Sequence, residues 1–192
     1  GNNLPLIEIT DLDLSDDNGK KSDKNTYVHQ LRFYVFNIGK NSLKDVIVSY
    51  LRTLSDEKKI TMFGFVIMPS HLHFIWRQNM LNGKETPKGS FMKYTAHCFR
   101  KHLILNNSLQ LYKVSASNKA HEIWQRDSLG IEIYSREVAR QKLDYMHANS
   151  VSGKWLLAKD DISYHYSSAK FYETGVDDFG FLHNVFHLFD GD

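Results

Sequence analysis

A chain of 192 residues, 42% hydrophobic and 13% aromatic, carries enough apolar mass for one packed domain and is not of disordered composition. Its single cysteine, Cys98, excludes an internal disulfide framework, and no apolar run approaches a membrane span. These features predict a cytoplasmic protein with no membrane partner. The formal net charge of +2 is small but unevenly spread.

Residues 1–24 carry six acids and three lysines and read as a loose arm, so residues 1–25 are set apart from the domain that follows. Tyr27 to Ile38 reads as a strand, with Val28, Leu31, Phe33, Val35 and Phe36 apolar and a break at Gly39. A helix capped by Asn41 or Ser42 runs to about Lys59, with Leu43, Val46, Ile47, Tyr50, Leu51 and Leu54 at helical spacing. Ile60–Met68 is a second strand, Pro69-Ser70 a turn, and His71–Arg77 a third strand antiparallel to the second. After the loop at Asn82-Gly83 and Pro87-Lys88-Gly89, a basic helix spans about Ser90 to Leu105. Residues 84–113 hold six basic side chains against Glu85 alone, which suggests an anion-binding surface.

A short strand at Gly130–Tyr134 precedes a helix whose N-cap is Ser135 and which reaches about Asn149. From Asp160 onward there are seven acids and one lysine, and residues 176–192 read as an acidic C-terminal tail on a domain of residues 26–175. Paired strands with helical crossovers predict an α+β fold, an antiparallel sheet with helices mainly on one face.

Chemistry concentrates in two places. Strand side chains alternate faces, so His71 and His73 project together while Leu72, Phe74 and Trp76 project oppositely. Two neutral imidazoles side by side suit a divalent metal. On the last long helix, Tyr145 and Asn149 are one turn apart on a polar stripe shared with Gln141 and Lys142, away from the apolar stripe of Ala139, Leu143 and Met146.

The His-x-His strand, Trp124-Gln125-Arg126-Asp127, and the helix Gln141-Lys142-Leu143-Asp144-Tyr145-Met146-His147-Ala148-Asn149 together resemble the single-tyrosine HUH transposases, and most closely their REP-associated tyrosine transposase branch. The branch's Tyr-Ile-His-x-Asn-Pro-Val-x-x-Gly stretch is resembled by Tyr145-Met146-His147-Ala148-Asn149-Ser150-Val151-Ser152-Gly153, one residue shorter before the glycine, and its Asp-Tyr-x-x-Ser-Ser-Ala stretch by Tyr164 to Ala169. The resemblance implies a ferredoxin-like HUH endonuclease fold. It also implies cleavage and rejoining of single-stranded or hairpin DNA through a 5′-phosphotyrosine. Tyr145 carries over as the nucleophile, and His71, His73 and Asn149 as ligands of Mg²⁺ or Mn²⁺.

The physical logic agrees. A cation on a non-bridging oxygen draws charge from the phosphorus, and a phenol, which ionises near ~10 in water, gains from nearby positive charge such as Lys142. Lys93, Arg100 and Lys101 on the basic helix are expected to meet phosphates, and Arg126 to place one near the metal. Trp124 either stacks an unpaired base or packs in the core. His147 reads as structural, and His97 and His102 as solvent-facing.

Two departures stand out. Ser150 replaces the proline, which frees the helix end and loosens Asn149; Ser152 replaces a basic residue. The readings left open are a domesticated, non-cleaving DNA-hairpin-binding regulator and an unrelated metal-dependent phosphoesterase, with a monomer and a homodimer both compatible with the sequence.

Overall fold

The computed structural model describes residues 28–35, 38–116, 119–121, 123–124, 129–153 and 155–191. The predicted arm at residues 1–25 lies outside them. In chain order the elements are β1 (Val28–Tyr34), α1 (Asn41–Asp56), β2 (Ile60–Ile67), β3 (His71–Gln78) and α2 (Pro87–Leu105), then β4 (Lys113–Ala116), β5 (Lys119–His121), β6 (Leu129–Glu132), α3 (Arg136–Ala148) and α4 (Ala169–Thr174). Short 3-10 turns occupy Leu109–Tyr112 and Val185–Phe189. The main sheet has four antiparallel strands in the order β2-β3-β1-β6, and β4 and β5 form a separate hairpin. This is the predicted α+β class.

Alternation along β3 decides what each face does. Leu72, Phe74 and Trp76 turn to one side and are buried. Phe91 of α2 meets Phe33, Phe74 and Trp76 there, at ring distances of 5.7, 5.3 and 6.4 Å. α1 buries Leu43, Ile47, Leu51 and Leu54, and lies beside α2, with Tyr50 stacked on Tyr94 at 4.1 Å. The two longest helices thus share one face, as expected of helices mainly on one side. α3 takes the other: a Cβ placed on Gly64 of β2 would lie 2.7 Å from Met146 Cε and 3.0 Å from Leu143 Cδ2. Gly64 pairs with Ile75, on the face opposite Phe74.

The outer edge of β2 is covered by the chain's own C-terminal part. Ile67 donates to the Tyr166 carbonyl, Ser168 to Phe65, and His183 to Met62, each at 2.9 Å. These bonds satisfy strand groups that would otherwise template association. Residues 176–192 were expected to be an acidic tail. Phe179, Phe181 and Val185 are instead buried in the core, and Phe179 packs on Phe65 at 4.8 Å, so the stretch through Gly191 belongs to the domain. Among the described residues, no helix is long and apolar enough to cross a membrane.

Candidate functional site

β1 and β3 set the floor of the site. Their register places Arg32 opposite His73 and Tyr34 opposite His71, so all four side chains leave the same face of the sheet. The two imidazoles lie 5.2 Å apart, ring centre to ring centre, nearly perpendicular. Ser70 Oγ sits 3.1 Å from His71 Nδ1, the kind of contact that fixes an imidazole's ring orientation.

His73 is 1% exposed, and neither of its ring nitrogens has a hydrogen-bond partner. Burial, then the Arg32 charge, then His71, push its pKa down to about 3. The imidazole is therefore neutral at physiological pH, a buried pair of nitrogens of which one is an unmet acceptor. A neutral ring of that kind is the form that binds a metal. On this observation His73 has a nitrogen free to meet a divalent cation, and the His71 ring stands 5.2 Å from it on the same face. Among the described residues no third His, Cys, Asp or Glu joins them.

α3 brings the phenol. Ser135 Oγ accepts from Val138 N at 3.2 Å and fixes the start of the helix as predicted, and Glu137 follows in the first turn. Ala139, Leu143 and Met146 are buried, while Tyr145 on the neighbouring stripe is 52% exposed. Its ring stands edge-on to His73 at 6.0 Å. Its hydroxyl accepts a 2.9 Å bond from Arg32 Nη2, across 113 residues of sequence. Arg32 Nη1 donates to the Tyr34 hydroxyl at 3.1 Å. Burial alone would lower the Arg32 pKa; the bonds to the two phenols outweigh it, and the net shift is upward.

Behind Tyr145, the helix is pinned to β2. His147 is buried, its Nε2 lies 2.8 Å from Ser168 Oγ, and burial lowers its pKa to about 4. Ser168 Oγ also accepts from Phe65 N at 2.9 Å. The predicted structural role of His147 holds. His97 is exposed, whereas His102 is half-buried and its Nε2 has no partner.

Asn149 Nδ2 donates to the Tyr145 and Met146 carbonyls at 2.9 and 3.4 Å, closing the end of its own helix. Two expectations need correction. That end is not freed by the loss of proline, since Ser150 is fully buried, its Oγ donates to the His147 carbonyl at 3.0 Å, and its own carbonyl accepts from Leu157 N at 2.8 Å. Trp124 is a core residue. Its ring lies 6.0 Å from Phe33 and 5.7 Å from Phe91, and its Nε1 donates to Thr95 Oγ1 at 3.1 Å.

Lys142 is half-buried on α3, one turn before Tyr145. Lys93, Arg100 and Lys101 are exposed on α2, across the sheet from the histidines, and Lys93 is bonded to Glu85 at 2.7 Å. Arg126 lies outside the described residues. The sequence reading missed Arg32 and Tyr34. A charged residue between Leu31 and Phe33 in an apolar strand was the available signal; its relation to His73 depends on strand register, which alternation does not supply.

No protein-family model and no curated protein matches the chain. Among solved structures, it superposes on a REP-associated tyrosine transposase bound to a REP hairpin, with a TM-score of 0.53 at 15% identity, over 89% of this chain and 93% of that one. The two proteins share a fold. At that identity the likeness concerns architecture, and the side-chain geometry above bears on chemistry separately.

Proposed function

We propose that this chain is a metal-dependent single-stranded DNA endonuclease and strand transferase, acting at hairpin-flanked sites through a phosphotyrosine on Tyr145. One observation carries the reading: the half-exposed Tyr145 sits 6.0 Å from a buried, unpartnered His73 that is itself 5.2 Å from His71. The shared architecture with a transposase bound to a REP hairpin supports a DNA substrate.

In this reaction the Tyr145 oxygen bonds to phosphorus as the P–O3′ bond breaks. The phenolic proton passes to solvent and the departing 3′ oxygen takes one up, leaving a 5′-phosphotyrosine and a free 3′-hydroxyl. The phosphodiester energy is kept in the protein link, so a second 3′-hydroxyl reverses the step without ATP. His71 and His73 would hold Mg²⁺ or Mn²⁺, with phosphate, water or the Asn149 carboxamide oxygen at other positions. When bound, the ion supplies Lewis-acid polarisation of a non-bridging oxygen. The protein's own part is to present the phenol over the central strands β1 and β3 and to keep the His73 imidazole neutral.

The test is incubation with Mn²⁺ and a 3′-labelled DNA hairpin carrying single-stranded flanks, beside Tyr145→Phe. A labelled protein band that survives denaturation and is absent from the variant is the expected result. Hairpin binding with no covalent band in either protein would replace the reading with a non-cleaving hairpin-binding regulator. Cleavage that persists in Tyr145→Phe would replace it with a metal-dependent phosphoesterase.

A further inference from the structure

Arg32 is a cation on the face of the sheet that carries the histidines, and both of its side-chain partners are phenols. Its guanidinium bonds the hydroxyls of Tyr145 and Tyr34 at 2.9 and 3.1 Å and lies over both rings, at 5.7 and 6.0 Å. Its cross-strand neighbour is a neutral imidazole, His73. Among the described residues, Arg32 has no carboxylate partner. A half-buried cation is ordinarily held by a carboxylate that repays its lost hydration. Among the described residues no carboxylate compensates the charge that sits beside the Tyr145 hydroxyl. A guanidinium presents five donors in a planar fork, and the two phenols occupy two of them. The anion that matches such a fork bidentately is a carboxylate or a phosphate.

We propose that Arg32 is a catalytic residue of this site: one arm of its guanidinium holds the Tyr145 oxygen, and the arm resting on Tyr34 takes a non-bridging oxygen of the scissile phosphodiester. The assignment rests on the Tyr145 reading for its chemistry, but its phosphate contact is measurable without any cleavage. Arg32 gives up no proton and forms no covalent bond. It brings the attacking oxygen and the phosphorus to one rigid fork, and faces the charge that accumulates on the equatorial oxygens as the Tyr145 O–P bond forms and the P–O3′ bond breaks. Its position on a central strand, paired on both sides by β3 and β6, fixes that fork more firmly than a loop would.

The experiment uses the full chain with a REP-type DNA hairpin, comparing wild type, Arg32→Gln and Arg32→Lys. Two quantities are read: the slope of log affinity against log salt in the absence of divalent metal, and the rate of covalent adduct formation with Mn²⁺ at saturating DNA. Loss of one phosphate contact makes the slope shallower by about 0.7 to 0.9 in Arg32→Gln. The adduct rate in that variant falls on the order of 100-fold, the loss seen when one donor to a developing oxyanion is removed. Arg32→Lys keeps the charge but reaches one oxygen at a time, so it retains the slope and loses at least about tenfold in rate. An unchanged slope together with an adduct rate within about threefold of wild type in Arg32→Gln overturns the proposal. Should wild type form no adduct, the Tyr145 reading fails, and the slope alone still decides whether Arg32 grips phosphate. If thermal melting shows that Arg32→Gln does not fold, Arg32→Lys decides: a wild-type adduct rate in that variant overturns the assignment.

Discussion

Gly64 sets how deeply α3 can seat, and so where Tyr145 stands. A methyl group added there would meet Met146 Cε at 2.7 Å, Leu143 Cδ2 at 3.0 Å and Ser168 Oγ at 3.2 Å. The first distance is shorter than carbon atoms tolerate, and the third presses on a hydroxyl already bonded to Phe65 N and close to His147 Nε2. Met146 is the flexible tip of a side chain but is fully buried, so it has little space into which to move. Gly64→Ala therefore overpacks the contact, and a cost of about 1–2 kcal/mol is expected, at the lower end of the range for extra core methyl groups. The displacement is passed to Tyr145, the residue preceding Met146, and the adduct rate should fall about tenfold, since small misplacements of a nucleophile are costly. Met146→Ala alone leaves a cavity, costing about 2–5 kcal/mol. In the double variant the new methyl occupies part of that cavity, so the two costs should fall short of their sum by at least about 1 kcal/mol. Urea unfolding of the four proteins measures this directly. If Gly64→Ala is as stable as wild type, or if the two costs simply add, the close approach of α3 to β2 is not what positions the phenol.

Three further outcomes follow from the same geometry. Trp124→Leu should lower stability by about 2–3 kcal/mol through lost packing and the lost bond to Thr95, yet leave hairpin affinity unchanged. A stacked base would instead cost about 1–3 kcal/mol of binding, measurable by fluorescence titration. Arg100→Gln with Lys101→Gln, on the far helix, should weaken binding and flatten its salt dependence while the adduct rate at saturating DNA stays constant; a slower adduct would bring α2 into the chemistry. Acid should destabilise the fold early. The His147 pKa is about 4 in the folded state against 6.5 unfolded, so below 6.5 the unfolded chain takes up the proton first. That stability is complete above pH 6.5 and declines as pH falls toward 4, by up to about 3 kcal/mol. His73 contributes with the same sign. Equal urea midpoints at pH 7.5 and pH 5 would contradict this, and His147→Gln should flatten the dependence.

What could be read from the sequence was local. The shared face of His71 and His73 follows from strand parity, and the polar placement of Tyr145 from helical spacing; both need only the residues around them. The start of α3 at Ser135 is likewise a property of a few neighbouring residues. Arg32 escaped because its meaning lies in the pairing of β1 with β3, a long-range fact. The four-residue offset of Asn149 from Tyr145 is right for a common face, and the same offset lets its Nδ2 reach the Tyr145 carbonyl, a local bond that spacing alone does not announce. In the C-terminal segment the acids dominate the count, while Phe179, Phe181 and Val185 determine where the chain goes. The basic residues of α2 form a stripe in sequence, and only the face on which Phe91 packs reveals that the stripe looks away from the histidines.

The deepest of these hidden facts is a single extra residue in β2. Met62 pairs with Trp76 and Gly64 with Ile75, so Phe63 has no partner of its own and the register shifts there. Without the bulge, parity along β2 would invert: Gly64 would fall opposite Phe74 on the aromatic face, and Phe63 opposite Ile75, in the place beneath α3 that Gly64 now holds. A phenylalanine in that position would fill the space that the glycine leaves for Leu143 and Met146, lifting the helix and its tyrosine off the histidines. The bulge is also held in place. Tyr172 donates to the Phe63 carbonyl at 2.7 Å, from a ring 5.9 Å from His147, so the group that stabilises the irregular strand also packs on the helix that carries Tyr145. Ile60 to Ile67 is an almost unbroken apolar run, and such a run hides its parity, because either face of the strand is equally hydrophobic. The distance between phenol and imidazole therefore traces back to a one-residue irregularity on the edge strand of the sheet, which never touches the site itself.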